Sequence, residues 1–134
     1  MDKFTSIDPN SLSTSELHRM LLLSVAPRPI ALASTVDKDG NVNLSPFSCF
    51  NMFSANPPIL IFSPSRRVRD NSTKDTLENI KQVQEVVINI VNFSIVEPVS
   101  LASTEYETGI DEFKKSGLTP LKSNHVKPPR VKES

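Results

Sequence analysis

Apolar, β-branched runs bounded by prolines set the tightest limit on what this chain can fold into. Ala26-Pro27-Arg28-Pro29 leads into Ile30-Ala31-Leu32-Ala33-Ser34-Thr35-Val36, and Asn56-Pro57-Pro58 leads into Ile59-Leu60-Ile61-Phe62-Ser63. Proline fixes φ and donates no backbone hydrogen bond, so it borders strands and ends helices. Eleven prolines in 134 residues are many for a helical bundle and favour a mixed or mainly β domain.

The rest of the pattern agrees. Ser13-Thr14-Ser15-Glu16 offers an N-cap for a helix from Glu16 to about Leu23, with Leu17, Met20 and Leu21 on one face. Asp37-Lys38-Asp39-Gly40 reads as a turn, so 30–46 is a β-hairpin. Ile59 to Ser63 is nearly all apolar and is expected to be a buried third strand. Arg66 to Asn71 is a charged loop. A helix from Thr76 to Gln82 follows, with Leu77 and Ile80 expected to face inward. Glu85 to Val91 is a fourth strand; short helices are expected at Ile95–Ser103 and Gly109–Lys115, and one short extended piece in 118–134. Helices do not alternate regularly with strands, which favours an antiparallel sheet or barrel with helices packed outside.

At this length the chain reads as one domain, 1–134. Fifteen basic and fifteen acidic residues cancel, so no long-range field draws in nucleic acid or an anionic membrane. No apolar run approaches the roughly 20 residues that span a bilayer. The first residues lack the apolar stretch of a signal peptide, and the single cysteine excludes an internal disulfide; a cytoplasmic setting is compatible with both.

No glycine-rich phosphate loop is present, and His18 and His125 lack partners at metal-ligand spacing. Cys49 reads as packing rather than as a nucleophile. What remains is Ser45-Pro46-Phe47-Ser48-Cys49-Phe50-Asn51, followed by Arg66-Arg67-Val68-Arg69 and Lys74-Asp75-Thr76 at a helix start. An extended backbone would put Ser45, Phe47, Cys49 and Asn51 on one face. Small hydroxyls, an aromatic and an amide, then cations and a helix N-terminus, suit a planar heteroaromatic with a phosphate tail. The same residues also read as a strand end, a solvated loop and a helix cap, and spacing alone leaves both readings open.

Several ordered motifs together resemble the flavin reductase-like family, the flavoprotein oxygenase-associated group with an FMN-binding split barrel. They are Ser24-Val25-Ala26-Pro27-Arg28-Pro29-Ile30-Ala31-Leu32-Ala33-Ser34-Thr35, Asp39-Gly40, and Val42-Asn43-Leu44-Ser45-Pro46-Phe47-Ser48 with Phe50-Asn51. Asn56-Pro57-Pro58, Lys74-Asp75-Thr76-Leu77 with Asn79-Ile80, Asp111-Glu112-Phe113 and Pro129-Arg130-Val131 with Glu133-Ser134 follow. The resemblance runs from about Leu17 to the end. It implies a mainly β fold with peripheral helices, a Greek-key split β-barrel, and a homodimer with FMN near the subunit interface. Members of the family continue into further strands, so a C-terminally truncated barrel is expected here.

Carried over by residue, the resemblance places Ser45, Phe47, Ser48 and Asn51 along the isoalloxazine. Ser63, Arg66, Lys74 and Thr76 become candidates for the ribityl phosphate end, with Arg28 reaching the same pocket. Cys49 stands where the family often has an aromatic. The implied activity is hydride transfer from NAD(P)H to flavin, with no acid–base side chain required and none assigned as catalytic. Reduced flavin could then serve a partner monooxygenase. The alternatives are a non-enzymatic FMN-binding electron carrier and an inactive truncated barrel.

Overall fold

The computed structural model describes residues 4–107 and 109–134. Its centre is β1 (Ala31–Val36), buried along its whole length. It is flanked by two antiparallel neighbours, β2 (Val42–Phe47) and β5 (Val87–Ile90). The expected hairpin is present: Asp37 Oδ1 accepts from the N–H groups of Asp39 and Asn41 at 2.9 Å each, and Gly40 takes a φ of 87°. That left-handed conformation suits glycine, which has no Cβ to clash.

Each face of this sheet has its own cover. Leu32 and Leu44 face a core with Phe113, Val99, Ile95, Ala102, Leu118 and Val131. These residues come from the 3-10 turn Phe93–Ile95, α3 (Val96–Ala102), α4 (Glu112–Ser116) and the C-terminal segment. The opposite face, with Ala33 and Thr35, carries α2 (Asp75–Val83) through two buried polar contacts. Asn79 Nδ2 donates to Thr35 Oγ1 at 3.1 Å, and Asn43 Nδ2 donates to Thr76 Oγ1 at 2.9 Å. The buried face of α2 is therefore Thr76 and Asn79, while Leu77 and Ile80 are only half-buried. A small hydroxyl and an amide fit against the close-set β1, where leucine and isoleucine would need more depth.

The C-terminal segment is stitched on by polar groups. Asn89 donates to the Leu32 carbonyl at 3.0 Å and accepts from the Val131 N–H at 2.8 Å. It forms a two-stranded ladder, β6 (Pro120–Leu121) with β7 (Arg130–Val131), rather than one extended piece. The last short helix starts at Glu112, later than expected, because the Asp111 side chain caps it; Gly117 ends it with a φ of 74°.

The largest departure lies at residues 50–62. These form a separate hairpin, β3 (Phe50–Ala55) with β4 (Pro58–Phe62), and β4 is not buried. Ile59, Leu60 and Ile61 are 40%, 51% and 49% exposed, and Met52 and Phe53 more so. The apolar run marks a face that the described residues leave uncovered. The sheets do not close into a barrel among the described residues. The first helix, α1 (Thr14–Ser24), forms as expected with a full Ser13/Glu16 capping box.

Candidate functional site

Two cavities meet at the corner where β2 passes into β3. Residues 45–51 are not one extended strand: β2 ends at Phe47 and β3 begins at Phe50, so Ser48 and Cys49 form the bend. The Ser63 N–H closes it by donating to the Cys49 carbonyl at 2.9 Å. Ser45 and Phe47 stay on the α2 face of the sheet, and Asn51 moves onto the projecting hairpin, where its Oδ1 accepts from the Met52 N–H. The thiol of Cys49 is exposed at the bend.

The first cavity, about 240 Å³, holds most of the phosphate-end candidates. Phe47, Ser48, Ser63, Arg66 and Lys74 line it. The Phe47 ring is its floor, set by Phe62 at 5.3 Å between centroids, with the Lys74 ammonium 5.2 Å above the ring centroid. Lys74 is half-buried and has no hydrogen-bond partner among the described residues. Desolvation first, then the nearby Arg67 guanidinium, lowers its pKa from the ordinary lysine value, with Glu105 opposing. Such a cation attracts an anion more strongly than a solvated surface lysine does.

The second cavity, about 420 Å³, is mainly apolar. Leu21, Leu22, Val25, Phe50, Phe53 and Ile61 wall it, and among the described residues Arg28 is its one charged group. Ser48, Cys49, Ser63 and Leu22 line both cavities, so the two share a wall. Arg28, expected to reach the same pocket, lines this apolar side, next to the cationic wall and across their shared residues. Its Nε donates to Ser48 Oγ at 3.2 Å, and its Nη1 donates to the carbonyls of Leu22 and Val25.

Ser45 and Thr76 lie in a narrow polar cleft behind Lys74, with a volume near 40 Å³. Thr76 is 1% exposed, and its hydroxyl already accepts from Asn43. Sequence reasoning singled out Arg66 but missed Arg67. Arg66 is exposed and donates to the Asn71 carbonyl, while Arg67 is half-buried, donates to Ser72 Oγ and the Thr73 carbonyl, and lies 3.9 Å from Glu105. The run Arg66-Arg67-Val68-Arg69 was the available signal, but nothing in it ranks the arginines. His18 and Ser65, also on the first cavity wall, carried no signal of their own.

Together the cavities present an aromatic floor, hydroxyls and a cationic end, with an apolar chamber alongside. That donor set fits a flavin nucleotide. The chain belongs to the flavin reductase like domain family, whose model matches residues 23–134. It is 42% identical over 118 residues to an uncharacterized protein of Aquifex aeolicus, covering 88% of this chain and 60% of that protein. Its structure is similar to nitrilotriacetate monooxygenase component B from Bacillus cereus, with a TM-score of 0.92 at 31% identity, covering 100% of this chain and 65% of that one. A putative flavin reductase with a split barrel domain from Shewanella frigidimarina gives a TM-score of 0.76 at 36% identity, covering 93% and 60%. The chain thus spans about 60% of the length of the relatives it matches.

Proposed function

We propose that residues 1–134 form a single FMN-holding domain of an NAD(P)H-dependent flavin reductase. The observation that carries this reading is the half-buried Lys74 ammonium, without a hydrogen-bond partner among the described residues, beside a cavity with an aromatic floor. The similarity to a flavin reductase and to a monooxygenase component supports it. Lys74, Arg66 and Arg67 would neutralise the phosphate, with the Ser63 and Ser65 hydroxyls offering donors beside them. Ser45 and Thr76 would stand behind Lys74 as its polar support. The ring system would extend past Phe47 and Ser48 towards Asn51 and the apolar chamber. Its polar edge would take donors from the 45–51 segment.

Bound FMN would supply the redox chemistry, accepting hydride from NAD(P)H. The protein's own share is binding, orientation and exclusion of water. A homodimer would cover the exposed apolar hairpin, and a partner monooxygenase would be one consumer of the reduced flavin. No helix among the described residues is long and apolar enough to cross a membrane.

Titrating FMN into the protein, followed by flavin fluorescence and then by NADH-dependent bleaching of the flavin absorbance, tests the reading. Saturable binding with bleaching is expected. Binding without bleaching would make this chain a flavin carrier, and no binding would remove the FMN assignment.

A further inference from the structure

Helix α1 walls both cavities yet is scarcely attached to the fold. It contributes Leu21 and Leu22 to the apolar chamber, and His18 and Leu22 to the cationic one. No residue of α1 is buried, and Leu21 and Leu23 are 57% and 73% exposed. Among the described residues, no salt bridge reaches it. Apart from its own N-cap, the side chain that hydrogen-bonds to it from outside is Arg28. That guanidinium grips the last turn, at the Leu22 carbonyl and the adjoining Val25 carbonyl, and reaches across to Ser48 Oγ on the β2–β3 bend.

We infer that α1 is a strap across the binding cavities and that Arg28 is the positioning residue that latches it. Three physical points support the assignment. Carbonyls at a helix C-terminus carry the negative end of the helix dipole, and a guanidinium satisfies them with charge-assisted bonds. Pro27 and Pro29 on either side restrict the backbone that presents the guanidinium. An 11-residue helix without buried contacts is marginal alone, so a released α1 unfolds locally rather than standing free. Ser48 belongs to both cavity walls, so the latch also senses what occupies them. The latch needs no ligand; its effect on flavin rests on the function proposed above.

Amide hydrogen exchange on the full chain, with wild type, Arg28→Ala and Ser48→Ala, tests this. The expected result is exchange at α1 amides about tenfold faster in Arg28→Ala, a smaller increase in Ser48→Ala, and unchanged protection of β1. Added FMN is expected to slow α1 exchange in wild type. FMN and riboflavin should both dissociate faster from Arg28→Ala, by similar factors, because the strap walls the ring chamber. Unchanged α1 exchange in Arg28→Ala would overturn the inference, and so would equal loss of protection in β1, which would make Arg28 a support of the whole fold. A wild type that binds no flavin would defeat the FMN assignment, and the exchange of α1 in the variants would still decide the latch.

Discussion

Lys74 shows how one side chain acquires a function from its surroundings. In sequence it is a lysine before a helix, with Ser72, Thr73 and Asp75 beside it equally readable as ordinary caps. In the structure its own side chain makes no capping bond, and the ammonium instead leans over Phe47. A cation held there with no hydrogen-bond partner among the described residues, and with only the more distant Glu105 carboxylate to oppose its desolvation, gains from an incoming phosphate what it lost in water. Lys74→Ala is therefore expected to weaken FMN binding by about tenfold to a hundredfold, corresponding to ~1.5–3 kcal/mol for a bond to a charged group. Riboflavin, which has no phosphate, should lose far less. Parallel fluorescence titrations of the two ligands check this, and equal losses would contradict the phosphate assignment. The lowered lysine pKa adds a pH signature. The charged form binds the anion, so FMN affinity should fall more steeply than riboflavin affinity as pH rises through the range below the ordinary 10.5; the ring's own alkaline ionisation is common to both ligands.

Elements were legible in the sequence where local chemistry decides them. The polar run at 13–16, the Asp37–Gly40 turn and the Gly117 stop marked a helix start, a hairpin and a helix end, although the helix begins at Thr14 rather than Glu16 because the Ser13 side chain caps it. The run Ile59-Leu60-Ile61 misled because apolar content reports only that a surface needs covering, and the described residues do not supply the cover. The site was legible as residue types but not as positions. Phe47, Ser48, Ser63, Arg66 and Lys74 converge, whereas the bend at Ser48-Cys49 parts Asn51 from Ser45, and Arg28 spends its donors on the end of α1 and on Ser48. A tie between elements was illegible for the same reason. Glu112, in the first turn of α4, accepts the Leu44 N–H of β2 at 3.1 Å and so holds the α3–α4 layer to that strand. Burial pushes its carboxyl above the ordinary 4.5, with Asp75 and Asp111 adding to the rise. The folded state thus binds this proton more tightly than the unfolded chain. Stability from this group is greatest below pH 4.5 and falls as pH rises through the elevated folded value. Glu112→Gln keeps a carbonyl oxygen for Leu44 and removes the charge. It is expected to stabilise the protein slightly at neutral pH and to make no difference below pH 4.5, as read by urea midpoints at the two pH values.

The whole molecule divides its large apolar side chains between two duties. Phe113 is 1% exposed and joins α4 to Leu32 and Leu44 of the central sheet, so it is structural. Ile61 is 49% exposed on the projecting hairpin and walls the apolar chamber, so it serves a surface. Contiguous exposed apolar residues of this kind mark an interaction face. Substitutions at the two positions should separate folding from association. Phe113→Ala removes buried ring contacts and leaves a cavity, with an expected cost of ~3–5 kcal/mol, a large part of the stability of a small domain. It should unfold at much lower denaturant concentration. Ile61→Lys places a charge where solvent already reaches, so its unfolding free energy should change by no more than ~0.5 kcal/mol. Its effect should instead appear in sedimentation velocity. Wild type is expected to self-associate with rising concentration and Ile61→Lys to stay monomeric. If Ile61→Lys associates as wild type does, the hairpin is not the face through which copies of the chain meet.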